Sequence, residues 1–138
     1  MKQIGIVVAL SVLIVSGFAQ ADANEDDVCQ IQSLISRTYD RPDQKVEADP
    51  VVVESGHALA DWTQGEMGGR ALLQRRDGKW ILIACGGDGF KDARQLQDAG
   101  LSYANAKALV AKLQEAERHA DPERVRRFSL FGQASAKM

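Results

Sequence analysis

The chain has 138 residues, of which 17 are Lys or Arg and 19 are Asp or Glu, so its formal net charge is −2. That length fits one domain, and the slightly acidic balance gives no electrostatic reason to expect a nucleic-acid partner, because such proteins present basic surfaces. With 2 Cys, 2 His and 3 Met, the chain has no tract rich in soft metal ligands.

The first residues have the pattern of a cleaved export signal. Lys2 is followed by an apolar run, Ile4 to Val15, and then by Ala19 and Ala21, which place small residues where signal peptidase reads the chain. The run is too short to span a bilayer, which requires about 20 apolar residues. We therefore expect a signal peptide and not a membrane anchor.

The predicted cleavage defines the domain. We place it after Ala21, with Ala23 as the alternative, so that residues 1–21 are removed and residues 22–138 form a single small periplasmic domain. The removed part carries one basic and no acidic residue, which leaves a formal charge of −3 on the remainder. No later segment is apolar enough to insert into a membrane.

Export changes how the two cysteines are interpreted. Cys29 and Cys85 both follow the cleavage site, and an oxidising compartment favours a disulfide between them. Closing that loop would stabilise the domain by roughly 4 kcal/mol in the chain-entropy treatment. Two free thiols and one soft metal site are the alternatives. Against the disulfide, a helix through Val28, Ile31 and Ile35 points Cys29 away from the apolar stripe.

Helical spacing then gives way to strands. The first helix ends before Asp40-Arg41-Pro42, because the residue before proline disfavours helix. Turn signals at Glu54-Ser55-Gly56 and Asp77-Gly78 and a loop over Gln64–Gly69 separate four apolar-rich runs. The predicted strands are Lys45–Val53, His57–Thr63, Arg70–Arg76 and Lys79–Cys85.

The chain returns to helical spacing after the strands. Lys91–Ala99 predicts a short helix, Ser102 a helix N-cap, and Asp121-Pro122 the start of a last helix. The predicted fold class is α+β: an N-terminal helix, a four-stranded antiparallel meander, and C-terminal helices packed on one face of the sheet.

Two glycine-rich segments are candidate functional loops. Gly86–Gly89 follows a strand and precedes a helix, which suits either a phosphate cradle or a plain turn in which Asp88 caps the helix; we favour the turn. The other is the candidate interaction loop, whose Glu66 and Met67 are expected to project from an exposed tip. It comprises Gln64, Gly65, Glu66, Met67, Gly68, Gly69 and Arg70.

Catalysis and metal binding both have little support. No Ser lies in a nucleophile elbow, and the two histidines, His57 and His119, have no evident partners, so we expect no enzyme and no catalytic residues. Met67 and His57 are weak candidate metal ligands, but they fall at opposite ends of a hairpin, roughly 20 Å apart. They cannot bind one ion within a single chain.

Several strings resemble the small bacterial proteins known as copper uptake system-associated proteins. They are the central stretch from Ala60 to Leu73, with its Trp-x-Gln-Gly and Gly-Gly-Arg-Ala-Leu-Leu, together with Asp49–Val53, Asp77–Trp80 and Cys85–Gly89. The similarity runs from about Ile31 to Phe131, nearly the whole predicted domain.

The resemblance implies a Gram-negative periplasmic protein linked with copper uptake or homeostasis. It brings no ligand set with it, so copper as a cofactor is implied by the resemblance alone. We expect an accessory protein that acts by contact with a periplasmic or membrane copper-uptake protein, or by weak metal capture. The alternative is a secreted inhibitor or protein-binding module with no metal role.

Overall fold

The computed structural model describes the backbone of residues 19–132 and the side chains of residues 25–132. The predicted signal peptide lies almost wholly outside this range, and its cleavage stays a prediction. The described elements are, in chain order, α1 (Ala19–Tyr39), β1 (Val46–Glu54), β2 (His57–Gln64), β3 (Met67–Arg76), β4 (Lys79–Gly86), a 3-10 helix (Asp88–Lys91), α2 (Ala93–Asp98), α3 (Tyr103–Arg118) and α4 (Pro122–Phe128).

The four strands form one antiparallel sheet in the order β1-β2-β3-β4. Two-residue turns join them, and positive φ angles at Ser55 (48°) and Gly56 (77°), and again at Asp77 (50°) and Gly78 (75°), suit tight hairpins. The predicted α+β fold, with its meander between an N-terminal helix and C-terminal helices, is confirmed.

Helices cover both faces of this sheet. The C-terminal helices pack on one face, where Leu72 of β3 meets Leu109 and Leu113 of α3. α1 covers the opposite face, where Ile31 and Ile35 meet small and aliphatic side chains of the strands. Because successive strand residues point to opposite faces, β2 and β3 are buried on both sides.

The third strand begins three residues earlier than predicted. Gly68 and Gly69 pair with Thr63 and Trp62 of β2 and are part of the ladder. A Cβ on Gly68 would lie 2.6 Å from the Arg127 carbonyl oxygen. One on Gly69 would lie 2.8 Å from the Phe131 Cβ. These glycines let the C-terminal segment cross the sheet in close contact, a role that glycine in a strand often has.

Helix starts follow the predicted capping pattern in part. Ser102 Oγ accepts a hydrogen bond from the Asn105 backbone N–H (3.2 Å), and Asp121 caps α4, which has Pro122 in its first turn. The predicted helix over Lys91–Ala99 is instead a 3-10 helix followed by the shorter α2.

The residue that caps α2 is Asp92, whose side chain accepts from the backbone N–H of Arg94. The prediction that Asp88 caps a helix is wrong. Its carboxylate accepts hydrogen bonds from Ser129 and Arg70 and so joins distant parts of the chain. Within residues 19–132, no helix has the length and apolar character needed to cross a bilayer.

Candidate functional site

The predicted interaction loop is a tight two-residue turn with most of its members in strands. Gln64 and Met67 are directly paired across the turn, and Gly68, Gly69 and Arg70 are buried. Gly65, Glu66 and Met67 remain exposed at the tip. The predicted loop therefore divides into an exposed turn and a buried strand segment.

Arg70 is fully buried and is the centre of an ionic cluster. Its Nε donates to Glu117 Oε1 at 2.9 Å, and its Nη1 donates to Asp88 Oδ1 at 3.2 Å and to the Phe128 carbonyl at 3.3 Å. Asp61, opposite Arg70 on β2, is buried as well. One guanidinium thus connects the sheet with α3, with the 3-10 helix and with the end of α4.

Asp61 has the most strongly raised pKa of the described acids. Burial, together with the neighbouring Glu117 carboxylate, raises the pKa of Asp61 to about 9, although Arg70 and Arg124 oppose the shift. The Arg70 Nε lies 3.5 Å from Asp61 but directs its hydrogen to Glu117. Neither carboxyl oxygen of Asp61 meets the geometry of a hydrogen bond with the described residues, so burial is the main cause of the raised pKa.

Sequence analysis placed Arg70 on a surface loop, and its burial was missed. The signal was available in the hairpin register, because Asp61 and Arg70 face each other once the turn is fixed at Gly65-Glu66. Each also shares a strand face with a buried leucine, because Asp61 is two residues after Leu59 and Arg70 is two residues before Leu72.

The predicted disulfide between Cys29 and Cys85 is not formed in the structure, where both residues are free thiols. Cys29 is exposed beside Lys79 and Trp80, at the start of β4. Cys85 is five residues beyond Trp80, about 16 Å further along the strand. A disulfide requires Cα atoms within about 7 Å.

His57 and Met67 lie at opposite ends of the β2–β3 hairpin, as expected. His57 pairs with Gln74, whereas Met67 pairs with Gln64, seven residues from His57 and so about 23 Å away. Among the described residues, no three His, Cys, Asp or Glu side chains converge as a metal site. The placement of His57 and Met67 therefore does not fit a dedicated copper site within one chain.

A groove lies between α1 and β4 and is here called the α1–β4 groove. α1 packs mainly over β1, which leaves the β4 side of the same face partly uncovered. Two hollows follow one another along it. The first is lined by Cys29, Gln30, Ser33, Leu34, Arg37, Lys79 and Trp80. The second is lined by Ile35, Tyr39, Val46, Trp62, Gln64, Ala71, Leu82, Ile83, Ala84, Cys85 and Phe131.

The second hollow is apolar and has a volume of about 410 Å³. Its aromatic wall is Trp62 and Phe131, whose rings meet edge to face with centroids 6.0 Å apart. Polar groups are few, namely Tyr39, Gln64 and Cys85. This combination of apolar walls and a few polar groups is typical of binding pockets.

The ionisable groups of this hollow keep their protons at neutral pH. Burial raises the pKa of the Cys85 thiol, and burial with a contact to Cys85 raises the pKa of Tyr39. A thiol with a raised pKa is a poor nucleophile, because the thiolate is the reactive form. The hollow is therefore suited to holding an apolar group and poorly suited to covalent chemistry.

Comparison with protein-family models, with curated proteins and with solved structures finds no match for this chain.

Proposed function

We propose that this chain is an exported accessory protein of copper uptake or homeostasis that acts by contact with a partner protein. The observation that carries the contact role is the α1–β4 groove, which presents an apolar hollow of about 410 Å³ beside an outer strand. Small-molecule sites are usually pockets of about 300 to 1,000 Å³, so this hollow is large enough to hold an apolar side chain of a partner. The copper link comes from the resemblance, and the periplasmic location from the predicted signal peptide.

Direct copper carriage has less support than partner contact. A Cu(I) site would need several convergent sulfur or imidazole donors. The apolar hollow contributes one thiol, Cys85, whereas Cys29 lines the other hollow and His57 and Met67 are at opposite ends of a hairpin. In this proposal the partner binds the metal, and this chain binds the partner.

We also propose that the chain is not an enzyme. The most strongly perturbed acid, Asp61, is buried and held against Glu117 and Arg70. In the groove, the raised pKa of Cys85 and of Tyr39 keeps both groups neutral. General acid–base or nucleophilic catalysis needs a titrating group at an accessible surface.

Copper titration of residues 22–138 tests whether the chain binds the metal. Cu(I) is added in competition with a chelator of known affinity, and Cu(II) is followed by quenching of the two tryptophans. We expect no stoichiometric affinity tighter than micromolar. Tight binding of one equivalent of copper would contradict the proposal that the partner binds the metal and this chain binds the partner.

A deletion strain of the native host tests the copper link and the groove together. We expect loss of the gene to change cellular copper content, and the wild-type gene to restore it. An Ile83→Asp variant, which puts a charge on the hollow's wall, should fail to restore it. The matched control is Ala104→Asp, at an exposed position on α3. Unchanged copper content in the deletion strain would overturn the copper role.

The second candidate is a secreted inhibitor or protein-binding module without a metal role. The exposed tip of the β2–β3 hairpin favours it, because Met67 is 45% exposed there and Glu66 beside it is exposed too. A pull-down from periplasmic extract, with a Glu66→Ala, Met67→Ala double variant as the comparison, tests this candidate. We expect recovery of a bound protein to fall in the double variant, and unchanged recovery would overturn the involvement of the tip.

A further inference from the structure

We propose that β4 accepts an extended, acidic segment of the partner as a fifth strand, with an apolar side chain of that segment in the apolar hollow of the α1–β4 groove. This inference rests on the proposed partner contact and specifies its chemistry. It follows from three features of β4: its free backbone edge, its exposed isoleucines and the unpaired cations near its start.

The outer edge of β4 has unpaired backbone groups. In a two-residue hairpin the residues flanking the turn, Arg76 and Lys79, form a hydrogen-bonded pair, and the pattern alternates from there. Trp80 and Leu82 therefore direct their N–H and C=O groups away from β3. In agreement, the Arg75 N–H opposite Trp80 donates to the Gly56 carbonyl at 2.8 Å, on the β2 side.

No described side chain hydrogen-bonds to this edge. Within residues 25–132, no side-chain hydrogen bond to the β4 backbone is formed, although such bonds occur at several other strands and turns. An exposed edge of this kind is a template for an added strand.

The apolar side chains of β4 favour a strand over a helix as the occupant. Ile81 is 39% exposed and Ile83 37% exposed. Ile81 points to the face opposite Trp80. Ile83 has no partner on β3, because the register shifts between Leu82 and Ala84, and it lines the apolar hollow. A strand added along the edge contacts both, since its own side chains alternate between the two faces. A helix lying in the groove would contact one face and leave the edge groups of Trp80 and Leu82 unpaired.

The charges predict an acidic partner. Arg37, Arg76 and Lys79 form no salt bridge with the described residues, and Arg37 and Lys79 line the same hollow. No carboxylate lines either hollow of the groove. Opposite charges across an interface favour the correct partner and speed its association, and like charges disfavour others.

A designed peptide probes the proposal directly. The probe is an acetylated, amidated octapeptide, Asp-Val-Thr-Leu-Thr-Val-Thr-Asp, with apolar residues on one face and an acid at each end. Fluorescence reports binding because Trp62 and Trp80, the two tryptophans of the chain, line the two hollows. We expect saturable binding in the micromolar range by residues 22–138, weakened by salt.

Two modified probes separate strand addition from simple apolar binding. One has N-methyl groups on the odd-numbered amides and the other on the even-numbered amides. We expect one of them to bind at least about tenfold more weakly, because two or more backbone hydrogen bonds are lost, and the other to bind like the parent. Equal effects of the two modifications would overturn strand addition.

Charge exchange tests the role of the cations. In the Arg37→Glu, Lys79→Glu double variant we expect the acidic probe to bind about tenfold more weakly and a probe with Lys in place of Asp to bind more tightly. The matched control, Arg94→Glu with Lys107→Glu, makes the same change in net charge at exposed positions on α2 and α3. An equal loss in both double variants would contradict local charge recognition.

The failures of the two proposals are distinguishable. If no probe binds at millimolar concentration, or if the isolated domain forms a dimer that blocks the probe, strand addition by a partner is overturned. Complementation by the Ile83→Asp variant would remain informative in that case, since it measures the copper role in cells without reference to the shape of the bound segment.

Discussion

β1 and β4 are the two outer strands of the same sheet, and they are protected very differently. Side chains from three helices donate hydrogen bonds to backbone carbonyls on the outer edge of β1. Gln32 of α1 donates to Ala48, Lys112 of α3 to Val53, and Arg124 of α4 to Asp49, each at 2.8 Å. β4 has no such contacts from the described residues, and two of its isoleucines are more than one-third exposed.

The difference indicates which edge is available for binding. β1 also contains Pro50, which lacks a backbone donor, an irregular register between Ala48 and Val51, and acidic side chains at Glu47 and Asp49. These are the usual protections against edge-to-edge association. β4 shares a register shift but has neither proline nor acid. An edge left open while its counterpart is closed is more readily explained by a partner than by packing.

The largest expected effect is at Arg70, on the inner strand β3. Replacing it by Ala leaves Glu117 buried without its strongest donor and removes the link from β3 to the Phe128 carbonyl. Because breaking a buried ion pair leaves an uncompensated charge, we expect a loss of about 3 to 5 kcal/mol in the free energy of unfolding. Urea denaturation measures it.

The same variant tests whether the ionic cluster around Arg70 affects binding in the α1–β4 groove. Under conditions where Arg70→Ala is still folded, its affinity for the acidic probe should be that of the wild type, because the cluster does not line the α1–β4 groove. A parallel loss of probe affinity would show that the ionic cluster around Arg70 and the α1–β4 groove are coupled.

The second largest effect concerns pH. The pKa of Asp61 is raised to about 9 in the folded state from an ordinary value of 3.8. The stability that its proton contributes is fully present below pH 4 and is lost progressively as pH rises to about 9. Asp61→Asn is a neutral side chain of similar shape and does not titrate.

We therefore expect Asp61→Asn to gain stability relative to the wild type as pH rises from 5 to 8. Denaturation midpoints of both proteins across that range measure the gain. A constant difference between the two proteins would mean that Asp61 is ionised in the folded state.

A smaller effect is expected from opening the β1 edge. Arg124→Ala removes donors from the carbonyls of Asp49 and Glu47 and from Thr63. Hydrogen bonds from a charged donor predict a loss of about 1 to 3 kcal/mol. Amide hydrogen exchange along β1 should become faster while that of β4 is unchanged. If exchange along β1 stays as slow as in the wild type, Arg124 does not protect the edge.

The smallest effect on stability, and the most selective effect on binding, is expected at Ile81. Ile81→Lys places a charge on the open edge, a natural means of preventing strand pairing. Because the side chain is 39% exposed, we expect the free energy of unfolding to change by less than about 0.5 kcal/mol. Probe affinity should fall severalfold in the same protein. Loss of folding together with binding would show that Ile81 is part of the core.

Local chemistry made much of the fold predictable. Asp77-Gly78 is a two-residue hairpin turn because both residues adopt positive φ, and Ser102 and Asp121 cap helices because their side chains accept from the next turn. These signals depend on near neighbours in the chain. They located all four strands and the last two helices, although the third strand begins earlier than predicted.

The site depended on contacts that local signals do not contain. The sequence predicted a loop at Gly68 and Gly69. They are strand residues, and Arg127 and Phe131, about 60 residues later, pack directly on them. Arg70 read as a surface residue, but Glu117 and Phe128 enclose it. Asp88 was predicted to cap a helix, but its carboxylate accepts hydrogen bonds from Ser129 and Arg70.

The sequence by itself determined the order of the elements and the two-residue turn between β3 and β4, because alternation and turn chemistry act over a few residues. Tertiary structure alone decided that α1 lies toward β1, that three helices close that edge, and that β4 stays open beside an apolar hollow. The physical reason is that an edge or a groove is a relation between surfaces. Those surfaces meet only after segments far apart in the chain have packed together.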